Sequence, residues 1–543
     1  MRLRRSFVLL CFLFGWIQGR AAEWQWSVPL EQGRAFLWIP PDCQQVRALV
    51  FAQHNMSEES ILEHPLVRET LGRLGIAEVW VAPPTEMIFD FNQGAGERFE
   101  KLMRALAAES GYGELTLAPA IPLGHSACAT FPWNFGAWNP ARTLAIISEH
   151  GDAPQTNMTG YGRANINWGS HTIDGVPGLM VMGEYEWGED RLAPALDYRA
   201  KHPGVPIAML PEPGRGHFDV SDDLVRFLCL FIRKAAEYRL PASAVLDQPS
   251  QLKPVDPAKG WLVERWRLNQ PREVPPAPIN LYTGNPSEAF WCFDEEMALA
   301  TQNYRANQIG KRPQLLGWVQ DGQVLPQSAT HNQVSLRFEP LADGITFKFG
   351  AAFLDSVDGG SPNTTRWTGL PAGSPIGHAT GRGPIILSRI TGPVVQVASD
   401  TFRVQFNRAS STTDRRNQDI WLLASHPGDA THKSAVQQAL MTVTPNADGA
   451  AQTIAFPAIP DQRVGTESVA LTAISDAGVP VNYYVREGPA FVGEAGKVLR
   501  FTPLPPRAKF PVKVTVVAWQ WGRASAPKLQ TAAPVEQTFL ITP

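Results

Sequence analysis

The sequence predicts an α/β domain on a mostly parallel sheet with helices on both faces. A β-rich middle region and a small all-β sandwich follow it. Three observations lead there. Residues 35–240 alternate short apolar runs with amphipathic segments, as strands buried on both faces and their covering helices do. The Pro-rich run "PASAVLDQPSQLKPVDPAKG" then interrupts that alternation. Beyond residue 450, apolar and polar positions alternate between regularly spaced turns.

A chain of 543 residues is too long for a single core. The expected division is a signal peptide at 1–21, the α/β domain at 22–242 and a linker at 243–262. A β-rich region at 263–447 and a β-sandwich at 448–543 complete it. The formal net charge of −3 gives no electrostatic reason to expect nucleic acid as a partner.

The elements follow in order. Arg2, Arg4 and Arg5 precede an apolar stretch at 7–17 that is too short to span a bilayer. Gly19-Arg20-Ala21 places small residues where a signal peptidase reads, so cleavage is expected after Ala21. The expected mature protein is exported, secreted or periplasmic, with no transmembrane anchor. Strands are expected at 48–52, 77–82, 143–147, 178–182 and 206–210. Phe99, Leu102, Met103 and Leu106 share one helix face, as do Leu224, Phe227, Leu228 and Phe231. In the middle region, 293–304 reads as a helix capped by Asp294, among short strands at 334–338 and 345–349. Cys43, Cys128, Cys229 and Cys292 lie far apart without a CxxC pair, which argues against zinc and leaves their pairing open. Cys128 and Cys229 read as small core residues.

The chemistry centres on "APAIPLGHSACATFPWNF", residues 118–135. A serine hydroxyl needs a base to take its proton, a carboxylate to orient that base, and donors for the developing oxyanion. Gly124-His125-Ser126-Ala127-Cys128 fits a sharp strand-to-helix turn that presents Ser126, with the Ala127 amide facing the oxyanion. Cys128 stands where Gly is usual. Pro119 and Pro122 fall in the strand before it, which suggests a very short strand or one paired on one side only. The base is His217, in the glycine-rich loop of "PIAMLPEPGRGHFDVSDDLVRFL", ahead of a helix capped by Ser221 or Asp219. The acid is Glu186 in "GLMVMGEYEWGEDR", with Glu184 as the alternative because one step of register exchanges their faces. Glu189 and Asp190 read as the start of a solvated helix. Asn55 or Met56, after the "ALVFAQ" strand, is the expected second oxyanion donor; His54 braces that loop. Ser57 could cap the helix that follows. His54, His125, Tyr161 and Trp168 are candidate substrate contacts. His125 also reads as packing, and Tyr161 and Trp168 share a polar loop with Arg163, Asn165, Asn167 and His171.

On His54-Asn55, "GHSAC", "GEYE" and "GRGH", residues 35–240 resemble the α/β-hydrolase superfamily. The resemblance is to secreted serine esterases related to polyester depolymerases and feruloyl esterases. It departs at Cys128 for Gly, Glu for the commoner Asp, and Asn55 where many relatives have Gly. It implies an acyl-enzyme mechanism on Ser126, His217 and Glu186, without cofactor or metal. The expected substrate is an acyl or aryl ester on an extracellular polysaccharide, then a polyester or lipid ester, or a small ester. A rival expectation is an inactive protein of this fold that binds glycan or a cell surface. The last segment is similar to bacterial immunoglobulin-like repeats. The matching pieces are Gln452-Thr453-Ile454, Ile459-Pro460-Asp461-Gln462, Gly478-Val479-Pro480-Val481 with Tyr483, Glu487-Gly488-Pro489-Ala490, and residues 534–539. That similarity implies a spacer or a module contacting glycan or cell surface.

Overall fold

The computed structural model describes residues 23–158, 163–242, 247–268, 270, 274–306, 308–329, 332–359, 362–409, 418–493 and 496–543. The expected signal peptide, Tyr161 and linker residues 243–246 lie outside the described residues.

Eight strands form the central sheet: β1 (Trp26–Pro29), β2 (Arg34–Trp38), β3 (Ala48–Gln53), β4 (Ile76–Ala82), β5 (Ala120–His125), β6 (Ile146–Glu149), β7 (Gly178–Gly183) and β8 (Ile207–Glu212). Their order is β1-β2-β4-β3-β5-β6-β7-β8. β2 pairs antiparallel with β1 and β4, and every pair from β4 to β8 is parallel. Burial of both faces explains the apolar runs. Leu49 and Phe51 of β3 enter one core with Ala77, Val79 and Val81 of β4, while Ala48, Val50 and Ala52 enter another with Ile76 and Trp80.

The helices are α1 (Glu58–Leu62), α2 (Pro65–Leu74), α3 (Ala95–Ser110), α4 (Phe131–Trp138), α5 (Glu189–Lys201) and α6 (Asp222–Arg239). Phe99, Leu102, Met103 and Leu106 of α3 fill the first core. Leu224, Phe227, Leu228 and Phe231 of α6 fill the second. Ser221 Oγ caps α6 through the Leu224 amide at 3.0 Å. Asp219 instead accepts from the Gly216 amide, 2.9 Å away, inside the preceding loop.

The prolines in β5 neither shorten it nor strip one side. Its six residues pair with β3 from Ala120 to Leu123 and with β6 from Leu123 to His125. Pro122 faces Phe51 of β3, and continuous pairing with β6 begins one residue later. The missing donor therefore falls outside the β6 ladder.

In the middle region, a three-stranded sheet centres on Trp261–Glu264. Helix α7 (Glu295–Ala306) follows, with Asp294 Oδ1 accepting from the Met297 amide at 3.1 Å. A four-stranded sheet joins Val334–Ser335, Ala435–Thr442, Asp419–His426 and Ile386–Thr391. The strands expected at 334–338 and 345–349 are shorter, at Val334–Ser335 and Thr346–Lys348. In the C-terminal region, the four-stranded sheet with Val512–Trp519 and Val535–Thr542 at its centre and the three-stranded sheet through Val498–Phe501 share one core. That core is continuous with the α3 side of the α/β domain, and Arg34 pairs with buried Glu487 at 3.1 Å across the junction. No helix among the described residues is long and apolar enough to cross a membrane.

Candidate active site

β3 and β5 lie side by side, but the chain leaves β3 toward β4 on one side and β5 toward β6 on the other. A crevice opens at the carboxyl ends of strands that diverge in this way. Ser126 stands there, directly after β5, with φ 51°. That left-handed conformation is strained for a non-glycine residue and lifts the side chain out of the turn Ser126–Cys128. A Cβ on Gly124 would lie 2.0 Å from the Cys128 carbonyl oxygen, so position 124 requires glycine. The crowding involves the backbone of Cys128. Its buried side chain therefore does not obstruct the turn.

His217 arrives on the loop between β8 and α6, and its Nε2 lies 2.6 Å from Ser126 Oγ. Its Nδ1 is hydrogen-bonded to Glu186 Oε2. Glu186 closes the short turn Glu184–Glu186 after β7 and accepts the Gly183 amide on Oε1 at 3.2 Å. Glu184, the alternative acid, is turned away. It takes the Gly214 amide at 2.7 Å and Lys433 Nζ at 2.5 Å. The register thus selects Glu186 for the histidine and leaves Glu184 to brace the loop that carries it.

Strand order and the sharp turn at Ser126 are those of the α/β-hydrolase fold.

No protein-family profile matches the sequence. No curated protein matches it either. Among solved structures, the chain is similar to an S-formylglutathione hydrolase from Agrobacterium tumefaciens. That match has 11% identity over 39% of this chain and 93% of the other, with a TM-score of 0.30. A soluble variant of the monoglyceride lipase from Saccharomyces cerevisiae matches at 11% identity over 41% and 96%, with a TM-score of 0.28. Fluorophosphonate-binding serine hydrolase F from Staphylococcus aureus matches at 10% over 40% and 99%, with a TM-score of 0.27.

Around Ser126, His217 and Glu186 lie groups that motif reasoning missed. His150, fully buried just past β6, has φ 45°. Its Nδ1 lies 2.5 Å from Glu186 Oε1, and its Nε2 lies 3.2 Å from Glu212 Oε2 at the end of β8. Arg191 of α5 donates to Glu186 Oε2 at 2.7 Å. Burial works to raise the Glu186 pKa, yet Arg191, His217 and His150 together hold it well below the ordinary carboxylate range. Burial likewise opposes charge on His150, yet Glu186 and Glu212 push its pKa well above the usual histidine value. The reasoning that singled out His217, a histidine just past the end of a strand, applies equally to His150 in "TLAIISEHG".

The oxyanion expectation needs correction at two residues. The Asn55 and Met56 amides both donate to Glu58 Oε2 at 2.8 Å, and the His125 amide donates to Glu58 Oε1 at 2.8 Å. A buried carboxylate thus ties the loop after β3 to the nucleophile strand, and burial pushes its pKa up to about 7. Ala127 is the middle residue of the turn Ser126–Cys128 and is buried. Ser57 makes no side-chain cap, because its hydroxyl donates to Glu149 at 2.6 Å.

Two substrate candidates are also corrected. His125 is fully buried, with Nε2 2.7 Å from the His217 carbonyl oxygen. A carbonyl only accepts, so Nε2 carries the proton. Burial, then the neighbouring His217 and His150, lower the His125 pKa well below the usual value. Nδ1 then accepts from Asn55 Nδ2 at 3.3 Å. Trp168 is 2% exposed and donates to Asn134 Oδ1 at 2.7 Å inside a core cluster. Its loop neighbours are used structurally too: Asn165 Oδ1 accepts from Asn134, and His171 Nδ1 meets the Ala137 carbonyl. His54 does line the cavity, its ring edge-on to Trp80 at 5.2 Å.

The cavity over Ser126 has a volume of about 820 Å³. The α/β domain supplies only part of its wall. Asn332, Asn363, Arg366, Asn407, Trp421 and Gln438 come from the middle region. Trp421 stacks on Phe218, next to the base, at 4.9 Å. His150, Glu186 and His217 place ligand atoms within 4.8 Å of one another, close enough to hold a metal. Arg191 on the same carboxylate makes this a poor cation site, and hydrogen bonds account for each contact.

Proposed function

We propose that this protein is a serine hydrolase acting on carboxylic esters. Ser126 attacks the ester carbonyl as His217 takes its proton. The tetrahedral intermediate collapses to an acyl-enzyme, and His217 passes the proton to the leaving alcohol. Water, deprotonated by His217, then releases the acid and restores the serine. Glu186 holds the ring in one tautomer and offsets its charge, while the Ala127 amide meets the oxyanion. The observation that carries this reading is the 2.6 Å approach of His217 Nε2 to a strained Ser126, with Glu186 on the opposite ring nitrogen.

The proposed substrate is an acyl or aryl ester on an extracellular polysaccharide, and the proposed location is outside the cytoplasm, on the strength of the N-terminal segment. Two features support a sugar-bearing substrate. The cavity wall carries several carboxamides, which hydrogen-bond hydroxyls without charge, and Trp421 offers an aromatic face. One observation favours a second reading, a non-hydrolytic glycan-binding role: the Asn55 and Met56 amides are engaged by Glu58.

Fluorophosphonate labelling of the purified protein, with Ser126→Ala and His217→Ala alongside, separates the two. Hydrolysis predicts a single adduct on Ser126, abolished by Ser126→Ala and slowed at least ~10²-fold by His217→Ala. A well-folded wild type that takes no probe supports the binding role. Acetylated and feruloylated glycans assayed beside polyester and lipid esters then test the substrate. Turnover confined to the latter two overturns the polysaccharide assignment.

A further inference from the structure

In the triad proposed above, a histidine and a carboxylate are enough to activate Ser126. This site holds a second, buried histidine on the same carboxylate. Both nitrogens of His150 face carboxylate oxygens, Glu186 Oε1 at 2.5 Å and Glu212 Oε2 at 3.2 Å. Glu212 is 1% exposed and also accepts the Tyr304 hydroxyl of α7 at 2.6 Å. A neutral ring would turn a lone pair toward one of two acceptors. An imidazolium donates to Glu186 and forms an ion pair with Glu212, whose Oε2 has no aligned hydrogen-bond donor.

We propose that His150 is a positioning residue: a buried imidazolium held between Glu186 and Glu212 that fixes the triad carboxylate and limits how strongly it favours charge on His217. The inference rests on the hydrolase reading. Its physical basis is competition. Glu186 serves His217, His150 and Arg191 at once, so its single negative charge is shared among three partners. The His150 ring also lies 5.8 Å from the His217 ring and repels its charged form directly.

The other groups facing His150 do not reverse this. The neutral His125 ring lies 5.7 Å away. Burial pushes the neighbouring Glu149 carboxyl up to about 8, which leaves it protonated at neutral pH. Asp219, also nearby, has a raised pKa through burial, and Arg215 pairs with it at 3.2 Å. Arg191 adds a second positive charge on Glu186 and donates to the Gly151 carbonyl beside His150 at 2.7 Å.

The test is the pH dependence of the fluorophosphonate labelling rate for wild type, His150→Gln and Glu212→Gln. His150→Gln can still donate to Glu186 but carries no charge. Glu212→Gln leaves every Glu186 contact in place and presents a carboxamide to His150 Nε2, which favours the neutral ring. Removing the positive charge should move the acidic limb, where charged His217 cannot accept the serine proton, upward by about 1–2 pH units. Glu212→Gln should move it the same way, and the double variant no further. A merely structural role lowers the rate without moving the limb. Labelling with an unmoved limb in Glu212→Gln, or in a folded His150→Gln, overturns the role of His150 alone. No labelling of the wild type overturns the hydrolase reading as well.

Discussion

The middle region does more than wall the cavity, and Lys433→Met measures how much. Lys433 Nζ sits 2.5 Å from Glu184 Oε1, with side-chain exposures of 5% and 0%. The other Glu184 oxygen holds the Gly214 amide, three residues before His217. Ser434 Oγ donates to the Pro213 carbonyl at 3.2 Å, and a Cβ on Gly214 would lie 2.3 Å from the Ser434 carbonyl oxygen. Lys433→Met leaves a buried carboxylate without its cation, which costs roughly 3–5 kcal/mol. With a urea slope of ~2–3 kcal/mol per molar, the unfolding midpoint should fall by roughly 1–2 M. Because Glu184 and Ser434 fix the loop carrying the base, labelling of Ser126 should slow by about 10–10²-fold. Glu184→Gln in the same chain removes the stranded charge and should recover more than half of the stability. A single variant within about 1 kcal/mol of wild type, or a double variant no better than the single, refutes the reasoning.

Glu58→Gln should destabilise the protein by about 1–3 kcal/mol and slow Ser126 labelling. Both carboxylate oxygens accept backbone amides, and a carboxamide turns a donor toward one of them. Thermal unfolding of the variant checks this, and an unchanged midpoint denies Glu58 its bracing role. Stability should also peak in mildly acidic buffer. Burial raises the Glu58 pKa to about 7, and those of Glu78 and Glu149 to about 8. These groups bind protons more tightly folded than unfolded, so stability falls as pH rises from ~4.5 to ~8. His150, raised by its carboxylate partners, contributes stability below ~6.5 that is lost as pH climbs through its folded value. Glu186, depressed, contributes above ~4.5 and loses that contribution as pH falls further. The melting temperature should therefore be higher near pH 5.5 than near pH 8.5. The opposite order shows that the buried carboxylates do not govern acid–base stability.

What the sequence made legible depends on how local each signal was. Strands β3, β4, β7 and β8 stand out because burial on both faces makes them mostly apolar between turns. The apolar run that marks β6 starts early, at 143, because Leu144 and Ala145 extend it, although pairing with β7 starts at Ile146. Ser126, His217 and Glu186 could be proposed because each follows a recognisable strand. The corrections at Asn55, Met56, His125 and Trp168 have another origin. The Asn55 and Met56 amides fold back onto nearby Glu58, the His125 amide and Trp168 ring are taken by Glu58 and Asn134 far off in sequence, and neither Glu58 nor Asn134 carries a motif. The middle region was least legible. Its strands are short, and their pairing joins segments as far apart as Val334 and Ala439.

The glutamate at the acid position now has a physical reason. Glu186 ends a three-residue turn anchored at Gly183 and must reach four partners: the Gly183 amide and His150 on Oε1, His217 and Arg191 on Oε2. An aspartate at this position is one methylene shorter, which withdraws the carboxylate by about 1.5 Å. From there it can keep the contact to its own turn or the contact to His217, but not both sets at hydrogen-bond distance. Arg191 comes from α5, His150 from beyond β6 and His217 from beyond β8, so no small shift brings all three closer together. A carboxylate that must sit between two imidazoles and a guanidinium therefore needs the longer side chain. The same crowding that selects glutamate makes its charge a shared quantity, so the strength of the base depends on residues outside the triad.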